Sequence, residues 1–273
     1  MKVLLYVNPE KDNKGEYFNL IGNLLKGFDI ECLSLSDPFY KQDLSDINKS
    51  TFSAIISIGG DGTILGRTSD AIALDMPILG INAGKLGFLT EFELSEAETA
   101  IRLLKDGELV KDERAVAEIE FNGTVYYALN DAVILRSYEE NGSMTVTVGV
   151  TIGNAALKNT IGDGIIVSTP TGSTGYSLSA GGAVLAPGIN AFCLTPIAAH
   201  SLLSRSVVFS SEKTCKLTVK DGAVSSLYID GKLVSKVNKN QTVTVSRAPK
   251  NVAFLRRKDF DFFGLLNKKL QDR

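Results

Sequence analysis

Tryptophan is absent from this chain of 273 residues, histidine occurs once and cysteine three times. A Ser-His-Asp mechanism would have to use the lone His200. Its setting, Pro196-Ile197-Ala198-Ala199-His200-Ser201, holds no nucleophile signature such as GxSxG, so a structural role is favoured. Cys32, Cys193 and Cys215 lack the CxxC spacing of a zinc or dithiol site. Each sits among apolar neighbours and is expected to be a buried free thiol in a reducing compartment. There is no Walker loop of the form GxxxxGK[ST]. No apolar run approaches ~18 residues, so no membrane span or membrane partner is expected. The run Lys2 to Val7 ends at Asn8-Pro9, too short for a signal sequence, and a cytoplasmic protein follows as the default. Positive charge is not in excess: 29 Lys and Arg against 31 Asp and Glu give a net charge of −2, which argues against a nucleic-acid partner.

What is present divides the chain by texture. Lys2 to Val7, Ala54 to Ile58 and Pro77 to Ile81 are short apolar runs bounded by turn residues and read as buried strands, with Glu31 to Leu35 as a further candidate. Between them, Glu16 to Phe28 carries Phe18, Ile21, Leu24 and Leu25 at helical spacing, and a helix is expected over Thr63 to Leu74. The polar stretch through Ser50 is expected to be a loop with a short helix. Strands alternating with helices predict a parallel α/β domain over residues 1–100. Residues 101–250 lose helical periodicity and alternate apolar with polar. A hairpin is predicted at Asn122-Gly123, with further strands at Met144 to Ile152, Val207 to Phe209, Lys216 to Val219, Ser226 to Ile229 and Gln241 to Ser246. The tail, 251–273, is apolar again and is expected to pack back on the first domain.

Four segments carry chemistry. In Ser57-Ile58-Gly59-Gly60-Asp61-Gly62-Thr63 a strand runs into glycines and a carboxylate. Glycine lets the backbone approach a ligand, and amides at a helix start bind phosphate oxygens. A carboxylate there makes sense as an acceptor for a hydroxyl nucleophile's proton, or as a magnesium ligand; the plainer reading is a helix cap. Gly80-Ile81-Asn82-Ala83-Gly84-Lys85-Leu86-Gly87-Phe88-Leu89 forms a second loop at the same sheet edge, where open α/β sheets bind ligands. Asn82 either bonds a ligand or stabilises the turn. Asn130 and Asp131, inside an apolar strand, suit ribose hydroxyls and an adenine edge, or else form an Asx turn. Gly162 to Gly182 crowds hydroxyls and glycines into a loop before a helix expected near Ser173 or Thr174, more than capping requires, with Tyr176 available to stack on a base. Asp230, in Asp230-Gly231, either touches a ligand or forms a plain hairpin turn, the turn being favoured.

In this order, Gly-Gly-Asp-Gly-Thr, Gly-Ile-Asn-x-Gly-x-Leu-Gly-Phe-Leu, Leu-Asn-Asp and Asp-Gly-Ile-Ile-Val-Ser-Thr-Pro-Thr-Gly-Ser-Thr-Gly-Tyr-Ser-Leu-Ser-Ala-Gly-Gly, the segments resemble the NAD kinase family over about residues 55–235. The first loop alone is shared with diacylglycerol, sphingosine and phosphofructokinases; the long hydroxyl segment looks like NAD kinases in particular. The resemblance implies an N-terminal Rossmann-like parallel α/β domain, a C-terminal β-sandwich-like domain and an active site in the cleft between them. It implies transfer of the γ-phosphoryl of ATP, with Mg2+, to the 2′-hydroxyl of the adenosine ribose of NAD, giving NADP. Asp61 would be the general base, and Gly59, Gly60, Gly62 and Thr63 the phosphate loop. Asn130 and Asp131 would hold adenosine, and Thr171, Gly172, Ser173, Thr174, Gly175 and Tyr176 would line the nucleotide site. Asp163 would meet the nicotinamide end across a subunit boundary in a homodimer or homotetramer, and Lys158 stands where relatives carry an arginine near the phosphates. No metal ligand is fixed by sequence. The chain departs from the family pattern at Asp131, where many members have Glu, at Gly175, where many have Ala, and in lacking the closing Gly-Trp. Two other classes remain at this point: a lipid or sugar kinase sharing the glycine loop, and a non-catalytic dinucleotide-binding regulator.

Overall fold

The computed structural model describes residues 1–35, 51–84, 87–137, 145–200 and 204–271; the expected loop and short helix through Ser50 lie outside them. Contacts divide the chain into two units, Met1–Glu113 with Val252–Arg273, and Arg114–Asn251.

The first unit begins with β1 (Lys2–Val7), whose apolar run is buried on both faces as a central parallel strand should be. Helix α1 (Glu16–Gly27) starts where the Asp12 carboxylate accepts the amides of Tyr17 and Phe18, satisfying orphan donors of its first turn. Ile21 and Leu25 carry its buried face, whereas Phe18, expected on it, points outward at 36% exposure. Strand β2 (Glu31–Ser34) is an edge strand, and Cys32 on it is exposed, correcting the expectation of three buried thiols. After β3 (Phe52–Gly59) the expected single helix is two, α2 (Asp61–Leu65) and α3 (Thr68–Leu74). The break falls where the ladder tightens and the Arg67 amide bonds the Ile64 carbonyl, three residues back. The unit continues through β4 (Ile78–Asn82), β5 (Phe92–Glu93), α4 (Ala97–Lys105) and β6 (Val110–Arg114).

The second unit is a sandwich. One sheet orders its strands as β11 (Ala155–Ala156), β10 (Val146–Ile152), β16 (Cys215–Gly222), β19 (Thr242–Arg247), β7 (Ala117–Phe121) and β8 (Thr124–Ala128), with β12 (Thr160–Gly162) also on β10. The other runs β15 (Val207–Ser210), β14 (Ala191–Ile197), β13 (Gly164–Ser168), β9 (Asp131–Arg136), β17 (Ser225–Ile229) and β18 (Lys232–Val237). All the registers described in both sheets are antiparallel. Alternate residues of each, such as Val148 and Leu217 from one and Ile134 and Ile165 from the other, share one core, the geometry of face-to-face sheets. Asn122 and Gly123 join β7 to β8 with φ of 50° and 77°, the left-handed pair a two-residue hairpin requires. The helix expected from Ser173 is instead a 3-10 turn over Gly172–Thr174 followed by the single turn α5 (Tyr176–Ser179).

The chain then returns to the first unit. Strand β20 (Val252–Arg256) takes a place between β4 and β6, completing the order β2-β1-β3-β4-β20-β6, and α6 (Phe262–Gln271) follows. Pairing along β2-β1-β3-β4-β20 is parallel. Among the described residues no helix is long and apolar enough to cross a membrane.

Candidate active site

In the first unit the carboxyl ends of β3 and β4 stand side by side, with Gly59 opposite Asn82 in register, and each ends in a glycine loop. A Cβ at Gly59 would fall 2.3 Å from the Thr63 hydroxyl, so the turn closes only on glycine. Thr63 in turn accepts the side-chain amide of Asn8 at 2.9 Å, tying the loop to the end of β1. Gly60 is the N-cap of α2 and offers no side-chain cap, and Asp61 is the first helical residue. Its carboxylate crosses instead to the second loop, where Oδ2 accepts the Phe88 amide at 2.8 Å and Oδ1 the Leu89 amide at 3.0 Å. Gly87 lies so close beneath that a Cβ there would stand 1.8 Å from Oδ1.

The second loop is held from within. The Asn82 amide bonds the Thr90 hydroxyl at 3.2 Å, and its oxygen accepts the Gly84 amide at 2.7 Å; Thr90 also accepts the Gly87 amide at 2.9 Å. Asn82 therefore stabilises the turn. Lys85 and Leu86 lie outside the described residues. From β20, the buried Arg256 guanidinium donates to the carbonyls of Phe88 at 2.8 Å and Thr90 at 3.2 Å and meets Glu91 and Asp112. Burial raises the Glu91 carboxyl above its ordinary value while the Arg256 charge opposes it. The exposed Lys11 lays its ammonium across both loops, 3.4 Å from a Cβ built at Gly60 and 3.9 Å from one at Gly84.

In the second unit the Leu129-Asn130-Asp131 segment is fixed by Asp230, whose carboxylate accepts all three of its amides at 2.9, 2.7 and 3.1 Å. The hairpin residue thus does more than turn the chain. Asp131 is 5% exposed. Burial, and then the neighbouring Asp230 charge, push it up to about 7; Asp230 is itself raised by burial against the pull of its three amides. The hydroxyl-rich loop packs directly on this segment: the Thr169 amide bonds the Asn130 carbonyl at 2.8 Å, and a Cβ at Gly172 would fall 2.1 Å from that oxygen.

Several hydroxyls of that loop are spent on its own shape. Ser173 bonds the Pro170 carbonyl at 2.6 Å and the Leu185 amide at 2.9 Å, Thr174 bonds the Thr171 carbonyl at 3.1 Å, and Arg114 reaches Thr171 at 3.4 Å. Gly175 and Tyr176 form its more open side, with Tyr176 42% exposed. Asp163 is paired with Arg136 at 2.8 Å, Lys158 stands exposed between β11 and β12, and His200 is exposed. Asn8, Lys11, Thr90 and the triple role of Asp230 are not singled out by the sequence, and Arg256, expected as part of the basic run Arg256-Arg257-Lys258 on a solvated face or at a phosphate, is buried. Asn8-Pro9 had the signal, an amide at a strand end facing a glycine loop, and was read only as the end of a strand.

Comparison with known proteins adds independent findings. Family models described as the ATP-NAD kinase N-terminal domain and the ATP-NAD kinase C-terminal domain match residues 2–109 and 129–257. An NAD kinase of Caldicellulosiruptor bescii is 33% identical over 274 residues, covering 100% of each chain. One from Clostridium kluyveri is 34% identical, covering 97% of this chain and 93% of its own. Among solved structures, yeast NADH kinase complexed with NADH superposes with a TM-score of 0.84 at 20% identity, covering 99% of this chain and 87% of its own. An Archaeoglobus fulgidus NAD kinase in complex with ATP gives 0.78 at 24% identity, covering 100% of both. These last two show likeness of fold.

Proposed function

This chain belongs to the NAD kinase family, and from that premise we propose how its own residues carry out the reaction. It phosphorylates NAD, and the lipid-kinase, sugar-kinase and non-catalytic readings fall away. In the proposed step the 2′-oxygen of the adenosine ribose of NAD attacks the γ-phosphorus of ATP. The bond to the β-phosphate oxygen breaks, ADP leaves, and the hydroxyl proton passes to Asp61, giving NADP. The observation that carries this is the hold on Asp61. Each oxygen takes one backbone amide, which aims the carboxylate and leaves further lone-pair capacity on both for a substrate hydroxyl.

Gly59, Gly60, Gly62 and Thr63 approach the phosphates with Lys11 beside them, so charge on the transferring group is met by amides and an ammonium. Magnesium enters with the nucleotide as MgATP and neutralises phosphate charge. Asn130 and the buried Asp131 carboxyl bind adenosine hydroxyls and the base edge, with Gly175 and Tyr176 on the open side of the loop. Thr171, Gly172, Ser173 and Thr174 keep that loop in shape, and Asp163 and Lys158 serve the nicotinamide and phosphate ends. We assign the enzyme to the cytoplasm, where three free thiols are at home, and to a homodimer or homotetramer. The test is NADP formation by the purified protein from NAD or NADH with MgATP, other nucleotides or polyphosphate. NADP from NAD and ATP is expected; no NADP with any donor contradicts the reading.

A further inference from the structure

Arg256 lies on β20, the strand that rejoins the first sheet after the whole second unit has been traversed, and its side chain is 1% exposed. Glu91 Oε2 at 3.2 Å and Asp112 Oδ2 at 3.3 Å already compensate its charge, and its guanidinium carbon stands 4.3 Å from the Phe260 ring centroid. Two further bonds go to main-chain carbonyls of the second loop, Thr90 at 3.2 Å and Phe88 at 2.8 Å. The Phe88 carbonyl and the Leu89 amide belong to one peptide unit. That unit is planar and trans, so its C=O and N–H point to opposite sides. On one side the guanidinium holds the oxygen; on the other, the N–H donates to Asp61 Oδ1 at 3.0 Å. A bond to the carbonyl also polarises the amide and strengthens it as a donor.

We propose that Arg256 is a positioning residue for phosphoryl transfer, setting the aim of the Asp61 carboxylate through the Phe88–Leu89 peptide. The proposal rests on Asp61 being the proton acceptor. Arg256 touches no reacting atom. Its planar fork spans two carbonyls and two carboxylates together, which a lysine ammonium at the end of a flexible stem cannot do.

The test is a double-mutant cycle on turnover, with thermal unfolding recorded for each protein. Arg256→Lys keeps the buried charge opposite Glu91 and Asp112 but loses the fork. In the chain with Asp61 it is expected to lower kcat about tenfold with the NAD dissociation constant within about threefold. In the Asp61→Asn background the same change is expected to lower residual turnover by less than about twofold, because the group it positions is gone. Should Arg256→Lys lose the folded state, Arg256→Gln combined with Glu91→Gln, which leaves one buried carboxylate fewer without a counter-charge, carries the same cycle. An equal fractional loss in both backgrounds, or unchanged kcat in the chain with Asp61, overturns the proposal and leaves the base assignment standing. Near-normal turnover in Asp61→Asn alone removes the base assignment and this proposal with it.

Discussion

At Asp131 the titration of a single side chain bears on stability and, in the proposed binding mode, on NAD affinity. Its carboxyl is pushed up to about 7 by burial and by Asp230, whereas in an unfolded chain it ionises near pH 4. Between those values the native state holds a proton that the unfolded state has released, so stability falls as pH rises through the window and levels off above it. Asp131→Asn is expected to remove this loss. Urea unfolding at pH 5 and pH 8 should show the stability gap shrinking by on the order of 2–4 kcal/mol; an unchanged gap contradicts the assignment. Ribose hydroxyls are donors and favour the ionised carboxylate, so NAD affinity should rise through the same window in the parent and stay flat in the variant. The sequence singled out Asn130 and Asp131 because adjacent polar residues in an apolar strand are costly. It gave no hint that Asp230, roughly a hundred positions on, fixes their backbone, because that contact follows from β9 and β17 pairing.

The glycine loops show what elements add to their residues. Gly59 and Gly87 are both demanded by contact, one by Thr63 and the other by the Asp61 carboxylate. Gly87→Ala forces the second loop away from Asp61 and is expected to lower kcat by about ten- to a hundredfold with the NAD KM within about threefold. A fall in NAD affinity with kcat preserved would place the loop at the acceptor site instead. Elements with local signatures were legible: β1 from its apolar run and the β7–β8 hairpin from Asn122-Gly123. The 63–74 helix misled because its apolar spacing continues across Gly66 and Arg67, where the backbone tightens. The composition of the hydroxyl loop predicts a ligand-facing segment but not the bonds Ser173 and Thr174 make to its own backbone.

At the scale of the molecule, the first unit is built from two distant stretches of chain. Strand β20 lies between β4 and β6, so the sheet is incomplete until residues 252–256 are in place. Ending the chain at residue 250 is expected to abolish protection of β3 and β4 amides in hydrogen exchange while β9 and β13 in the second unit stay protected. Equal protection in both units would show that β20 is dispensable. The two-domain pattern was visible in the change from helical to alternating periodicity, whereas insertion of β20 and its Arg256 rests on long-range pairing with no local signal. In the proposed reaction the Asp61 carboxylate accepts the proton of a substrate hydroxyl, and one measurement bears on that most directly: steady-state NADP formation from NAD and MgATP by Asp61→Asn, with NAD binding measured on the same protein. Turnover at least about a hundredfold below the parent, with the NAD dissociation constant within about threefold, is the expected result; near-normal turnover would contradict it.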